Sequence, residues 1–414
     1  MKDKKIKKDL VNICLISILS YLGCFITIDD NYFQSYIYIK MGCMMILILY
    51  IFVYHRIMLN NRFIKVNLCF ALLSFLILTS SIINWNYIYS SGDYVISSIN
   101  FIIGVLGMMF AVEYSSYKQK MYMLIKVYYI LTVCVVLIMD IYIFLYPNKS
   151  AASGDIYFIG TKFTVAYFHL FLIAFYILKQ NQIRKKNIIP ILILGVLAWM
   201  ISMKVDCMTG IVGVFIFGIL YVFSRKTFNL LTKPYVYMIT MFISGLFVVF
   251  YSVIMRLRFV GDFLENVLHT STELTGRTWI YRVLPVILMK KPLLGNGFRS
   301  SFDVMMHTMR APNTQNGLTE WIIEGGIITT VVFLCMVWMI FKSVKNVNIN
   351  LEANRYKAIY SMMYVLAVLS TVEIIYNREI YFVWLALLFG ILTEREIYEQ
   401  KKIKQCINQE SENR

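Results

Sequence analysis

Apolar stretches of about 14 to 24 residues recur from one end of this 414-residue chain to the other, divided by short polar segments. A bilayer core of roughly 30 Å takes about 20 residues of helix to cross. Within it only helices and closed barrels satisfy every backbone amide and carbonyl. The chain is 59% hydrophobic and 15% charged, whereas a soluble domain is about a quarter charged, and no soluble core could hide this much apolar surface. The expected fold is an all-α integral membrane protein of about twelve transmembrane helices. They read as residues 11–28, 36–54, 66–83, 95–112, 123–145, 163–178, 188–203, 208–223, 235–254, 318–341, 358–375 and 380–393. The seventh, eighth and twelfth are short, which suits tilting or packing away from lipid.

Lysine and arginine set the orientation. With the N-terminus cytoplasmic, 26 of them fall in the inner segments, and only Lys149, Lys204 and Arg378 fall in short outer loops. That asymmetry is the positive-inside pattern; it predicts two cytoplasmic termini, an even number of spans and residence in the cytoplasmic membrane. The basic start, Met1–Leu10, is followed by an apolar stretch too long for a cleaved leader and without a small-residue cleavage pattern, so the first helix is expected to stay as an anchor. Residues 1–254 then carry the first nine helices, 255–317 form one large extracytoplasmic loop, 318–393 carry the last three helices, and 394–414 are a cytoplasmic tail.

The net charge of +17 does not imply nucleic acid, because it is gathered in short loops on one side of a membrane. The eight cysteines have no CxxC spacing, so neither a disulfide framework nor a zinc site is expected, and no metal or cofactor is implied. His55 falls on the cytoplasmic side. His169 falls within the sixth span, where a satisfied core histidine is the plain alternative to a ligand. Asp140, Lys162, Asp206 and Glu373 fall near outer helix ends, as cavity lining or as paired, snorkelling charges.

The loop 255–317 breaks the charge rule with a net charge of +4, counting Arg256, Arg258, Arg277, Arg282, Lys290, Lys291, Arg299 and Arg310 against Asp262, Glu265, Glu273 and Asp303. Long loops translocate regardless of charge and are commonly functional. Within it, Trp279–Lys290 has apolar residues at helical spacing and predicts an amphipathic helix at the interface. Arg277 lies in its first turn, Arg282 one turn on, and Gly295 and Gly297 close the segment in a tight turn. Arginine suits phosphate because its planar fork donates two parallel charge-assisted hydrogen bonds; lipid headgroups would engage the same side chains equally well. Polar residues 313–319 then run straight into a span that carries Glu320 and Glu324 on one face. Acids at that depth face a bundle interior or a wet cavity, or sit favourably near a helix N-terminus.

The run GRTWIYRVLPVILMKKPLLGNGF (276–298), followed by NTQNGLTEWIIEGGII (313–328), resembles the signature of the O-antigen ligase and Wzy-type polysaccharide polymerase superfamily. That family shows a Ser/Thr-Gly-Arg-x-x-x-Trp-like start, a His-Pro-Leu-x-Gly-x-Gly turn and a His-Asn-x-x-Leu element ahead of a span with a Glu-x-Gly-like end. The match covers about 50 residues, in the outer loop before the last spans. The resemblance implies a metal-independent glycosyl transfer between undecaprenyl-diphosphate-linked glycans, donor and acceptor, among membrane lipids. A chain-length regulator and a flippase of the same pathway are candidate partners. It implies that Arg277 binds the diphosphate. Lys204, in Ser202-Met203-Lys204, stands nearest to a second family arginine, and Arg282 assists. Gln315 and Asn316 stand where the family has His-Asn. Glutamine cannot take a proton, so His307, Glu320 or Glu324 is left as base, or none is needed. The glutamine favours a polymerase over a ligase.

A ligase, and a flippase or transporter for lipid-linked sugars, remain the alternatives. The second predicts broken helices near the midplane and similar halves, which the sequence does not display. Asp29-Asp30, directly after the first span, resemble the acid of glycosyltransferases that use polyprenyl-phosphate sugars, or are solvated loop charges.

Overall fold

The computed structural model describes residues 2–29, 32–85, 93–145, 149–151, 154–180, 188–254, 257, 277–343 and 353–412. Helix α1 (Lys2–Ser20) runs into a single π-turn (Tyr21–Phe25) and is followed by α2 (Tyr36–Met58), α3 (Ile64–Ile83), α4 (Tyr94–Tyr117) and α5 (Met121–Leu145). A small antiparallel meander, β1 (Lys149–Ala151), β2 (Gly154–Tyr157) and β3 (Gly160–Thr161), pairs Lys149 with Ile156 and Ile156 with Thr161. Then come α6 (Lys162–Lys179), α7 (Ile188–Lys204), α8 (Met208–Leu231) and α9 (Pro234–Ile254). The chain ends with the short helices α10 (Arg277–Leu288) and α11 (Ser301–Met309) and the long α12 (Gly317–Lys342), α13 (Ala353–Leu369) and α14 (Glu379–Glu412).

The chain is an all-α, multi-pass membrane protein. Each expected apolar stretch falls on one helix, except that the stretch expected at 358–375 leaves its helix at Leu369 and its last six residues are non-helical. Among the described residues, eight helices are long and apolar enough to cross a membrane: α1 with its π-turn, α2 to α6, α9 and α12. α7 and the first part of α8 are apolar but shorter. The outward face of this bundle is hydrophobic, as Met45, Phe52, Ile189 and Phe215 illustrate. A continuous apolar exterior of this kind is stable only against lipid. The interior is where polarity collects. α14 packs along α4, α12 along α3 and α5 along α6. Trp384 of α14 stacks on Phe175 of α6 at 4.8 Å, and the hydroxyls of Tyr237 and Tyr381 meet at 3.0 Å. Lipid is as apolar as leucine, so the helices associate by such packing and hydrogen bonds rather than by burying apolar area.

Several elements of the large loop match the sequence expectation. The helix expected at 279–290 is α10, with Ile280, Tyr281, Leu284 and Ile287 buried and Trp279, Arg282, Val286 and Met289 on its exposed side. Asp30, Arg184, Lys185, Lys186, Arg256, Arg258, Asp262, Glu265, Glu273, Thr275, Gly276, Lys345 and Arg414 lie outside the described residues.

One element departs from expectation. The span expected at 318–341 is not a continuous helix. Gly326 adopts φ 74° and ψ 179°, a conformation that is essentially glycine-only, and the break frees backbone groups on both sides. The turn 292–297 takes them up. Asn296 N donates to the Ile323 carbonyl (2.8 Å) and Gly297 N to that of Glu324 (3.0 Å). Ile327 N donates to the Pro292 carbonyl (2.8 Å) and Ile328 N to that of Leu293 (3.3 Å). Gly295 and Gly297 are also at positive φ. From α3, Ser80 Oγ donates to the Glu324 carbonyl at 3.0 Å, and Asn84 Nδ2 to that of Gly295 at 3.2 Å. The loop is thus plugged into a helix about 15 Å from that helix's N-terminus, at 1.5 Å per residue. Non-helical backbone at such depth persists only where protein satisfies it. In a transporter the unwound backbone faces the substrate; here the groups freed at 323, 324, 327 and 328 are bonded to the loop.

Candidate functional site

The N-terminal ends of α4, α6, α10, α12 and α14 converge with the π-turn at one end of the bundle, and the side chains with chemistry gather there. Arg277 opens α10. Its Nη2 donates to Gln315 Oε1 (3.1 Å), to the Val372 carbonyl (3.2 Å) and to Glu373 Oε1 (3.4 Å). Its Nε is buried and has no hydrogen-bond partner among the described residues. A guanidinium with an unused donor can receive an anion.

Gln315 is held for this contact. It is a non-glycine residue at φ 55°, a left-handed conformation that persists where its surroundings impose it. Tyr281 Oη donates to its carbonyl at 2.7 Å, and its own amide donates to Asn313 Oδ1 at 2.9 Å. Burial holds the Tyr281 phenol well above the usual tyrosine range, so it serves as a neutral donor. The structure brings Arg277 and Gln315 into contact, although 38 residues separate them.

Asn316 and Glu320 do a different job. Asn316 caps α12, its Oδ1 accepting from Leu318 N and Thr319 N at 3.1 Å each, while Nδ2 donates to the Ser244 and Thr371 carbonyls at 2.8 and 3.1 Å. An asparagine has two donors and one acceptor oxygen, so no polar capacity is left for a substrate. Glu320 is buried and accepts from Ser301 Oγ (2.5 Å), Thr314 Oγ1 (2.7 Å) and Thr314 N (3.2 Å). It fastens α11 and the 313–316 turn to the head of α12. Asn316→Ala should therefore act on stability, costing about 1–3 kcal/mol by orphaning buried groups. A thermal midpoint equal to wild type would refute that role.

Glu324 accepts from Asn377 Nδ2 at 3.0 Å. Lys204 is exposed at the end of α7 and is not among the cavity-lining residues described below, and Arg282 is exposed on α10. His307 is exposed on α11. His169 is buried, with Nδ1 2.9 Å from the Val165 carbonyl and Nε2 3.2 Å from Asp140 Oδ1, as a satisfied core histidine would be. Lys162 pairs with Asp206 at 3.6 Å. Asp29 bonds through its backbone amide to the Phe158 carbonyl, which ties the first loop to the meander.

Sequence reasoning named Glu373 and Lys162 as cavity lining or paired charges but did not link them to Arg277. α13 ends at Leu369, so Glu373 sits beyond the helix, in the connection to α14. It is 10% exposed, and burial pushes its carboxyl up to about 7, against the opposing pull of Arg277, Arg378 and Lys162. Beside it opens a cavity of about 320 Å³, walled by the π-turn, α2, the meander, α6 and residues 373–380. Lys40, Arg299, Arg378 and Glu379 line it together with Glu373. Arg378 could have been found, because it is one of three cations that defy the charge rule in short outer loops. Lys40 carried no signal, since it reads as part of a span.

Glu373 thus controls how much of the Arg277 charge is available. Arg277 from α10, Arg378 from the same connection, and Lys162 and Tyr167 from α6 face it. Above its pKa it is ionised and neutralises Arg277; below, it is neutral. Pyrophosphate affinity is therefore expected to rise several-fold, relative to Glu373→Gln, as pH falls from about 8 to about 6. The variant should bind tightly at both values; an unchanged ratio between the two proteins would reject this.

Compared with known protein families, the chain matches no family model, and no curated protein matches it.

Proposed function

We propose that this protein is a metal-independent membrane glycosyltransferase that polymerises undecaprenyl-diphosphate-linked oligosaccharide repeats on the outer face of the cytoplasmic membrane. It would have twelve spans, two cytoplasmic termini and residues 255–317 outside. The observation that carries this reading is the pairing of Arg277, with its spare donor, to Gln315 across two sequence segments. Arg277 grips the donor diphosphate. The acceptor hydroxyl attacks the anomeric carbon, the bond from that carbon to the diphosphate oxygen breaks, and undecaprenyl diphosphate leaves with the electron pair. The guanidinium stabilises the charge building on the leaving group in a partly dry site, where such contacts are strongest.

Gln315 cannot take the hydroxyl proton, so the acceptor is oriented by its amide and deprotonated by a carboxylate. We assign that base to Glu373, 3.4 Å from Arg277, whose titration near neutrality suits general-base work. Glu320 and Asn316 act as positioning residues. Lys204 and Arg282, exposed at this end of the bundle, assist by drawing anionic headgroups towards it.

The test is reconstitution. Purified protein in vesicles, given lipid-linked repeats and no metal, should form a ladder of longer chains; a ladder that never extends beyond the single repeat would sink the proposal. Met306→Cys, on exposed α11, should be labelled by an impermeant maleimide in intact cells. Labelling only after lysis would reverse the topology.

A further inference from the structure

A tyrosine hydroxyl taken out of water needs a hydrogen-bond partner, and the interior supplies several. Tyr21 Oη meets Thr132 Oγ1 at 3.0 Å, and Tyr128 Oη meets Ser20 Oγ at 2.8 Å. Tyr167 of α6 is different. It is buried, and its hydroxyl has no hydrogen-bond partner among the described residues. A group left in this state costs stability. Violations of this kind are expected where function requires them.

The surroundings of Tyr167 say what its missing partner is. Tyr167 lines the cavity of about 320 Å³ beside Glu373. It lies close enough to Glu373 and Arg277 for both charges to act on it, yet it bonds to neither. Thr161, Thr164 and Tyr167 stand three residues apart and all line the cavity. They form one stripe of hydroxyls that descends from exposed Thr161, through half-buried Thr164, to the buried phenol. Phe25, Phe163 and Phe168 complete the wall. The charged side chains do not choose the ligand, because Glu373 faces Arg277 and Arg378 while Glu379 faces Arg299 and Lys40. What remains is a set of hydroxyls, which both give and accept hydrogen bonds, between aromatic faces. A sugar ring is the complement of that set, and the volume is within the range of small-ligand pockets.

We propose that Tyr167 binds the acceptor sugar, its hydroxyl engaging one hydroxyl of the terminal ring so that another is presented to Glu373. The inference rests on the glycosyltransferase reading and deepens it. Glu373 takes the proton of the presented hydroxyl, and the oxygen bonds to the anomeric carbon as the diphosphate leaves with the electron pair. Tyr167 keeps its own proton and contributes no atom to the product. Its contribution is orientation, which a unimolecular arrangement of the reacting groups requires.

The experiment compares Tyr167→Phe with Tyr128→Phe in the full-length protein, using the single lipid-linked repeat extracted from cells that lack this protein. Tyr128→Phe removes a partnered hydroxyl, so it should lower the thermal midpoint and leave elongation per folded molecule unchanged. Tyr167→Phe removes an unpartnered one. It should melt no lower than wild type, yet elongate at least tenfold more slowly. Adding the repeat should raise the midpoint of wild type and raise that of Tyr167→Phe by less. Combined with Glu373→Gln, the change should add little to the loss from Glu373→Gln alone, because the two side chains act on one ring. Full-rate elongation by Tyr167→Phe, equal midpoint shifts with the repeat, or fully multiplicative losses in the double variant would overturn the role of Tyr167 and leave the glycosyltransferase reading intact. A lowered midpoint of Tyr167→Phe without the repeat would reveal a structural role and overturn it likewise. A wild-type protein that never extends the single repeat would overturn that reading, and this inference with it.

Discussion

Replacing Arg277 with alanine is expected to stop chain growth and leave single lipid-linked repeats accumulating in the membrane. Removing one preorganised donor at a developing anion typically costs about 100- to 1,000-fold in rate, and a guanidinium supplies more than one. Arg277→Lys should recover only part of the loss, because an ammonium keeps the charge without the fork. The fold should survive: the native contacts of Arg277 are 3.1–3.4 Å long, and Glu373 can take up a proton once its partner is gone. The readout is the length distribution of lipid-linked glycan, beside a thermal midpoint within a few degrees of wild type. Polymer of normal length from the alanine variant would dismiss Arg277 as the diphosphate ligand.

Gly326→Ala should fail at an earlier stage, in assembly. The backbone there is at φ 74° and ψ 179°, which costs a residue with a Cβ about 1–3 kcal/mol. A Cβ would also fall onto the Leu293 carbonyl, so the loop must back away. The ladder between 292–297 and 323–328 then opens, and each orphaned backbone group in a dry interior costs about 1–3 kcal/mol. Detergent-extracted yield and thermal midpoint should both collapse. Gly42→Ala is the matched control: it lies within α2 with nothing within 4 Å of an added Cβ, and alanine is the better helix former by about 1 kcal/mol. Equal behaviour of the two variants would mean that the loop does not depend on the break.

The spans were legible because hydropathy is a local property: each apolar stretch landed on a helix, with ends displaced by a few residues except that α1, α8 and α14 extend further and α13 is shifted, ending six residues before 375. The amphipathic helix around Arg277 was legible for the same reason. Arg277 and Gln315 were singled out by motif resemblance alone, and only the structure shows that they touch, since nothing local links residues 38 apart. Asn316 and Glu320 look like site residues in a string of polar side chains, and only their partners, Ser244, Thr371, Ser301 and Thr314, reveal them as fastenings. The break at Gly326 left no mark on the apolar pattern, because the groups that make it tolerable come from a different segment. Lys40 reads as part of a span and Arg378 as one of three cations in short outer loops until the fold gathers them around one cavity.

The interlock of α12 with the 292–297 turn also dictates the order of biosynthesis. The turn is translated before α12, yet its amides and carbonyls have no partners in hydrocarbon until that helix arrives, and an unpaired backbone group there costs several kcal/mol. The turn must therefore wait in the wet headgroup layer while α12 enters as an unbroken rod. Threading the two together is a post-insertional event, and the polar end of the bundle is finished only when that late closure has taken place.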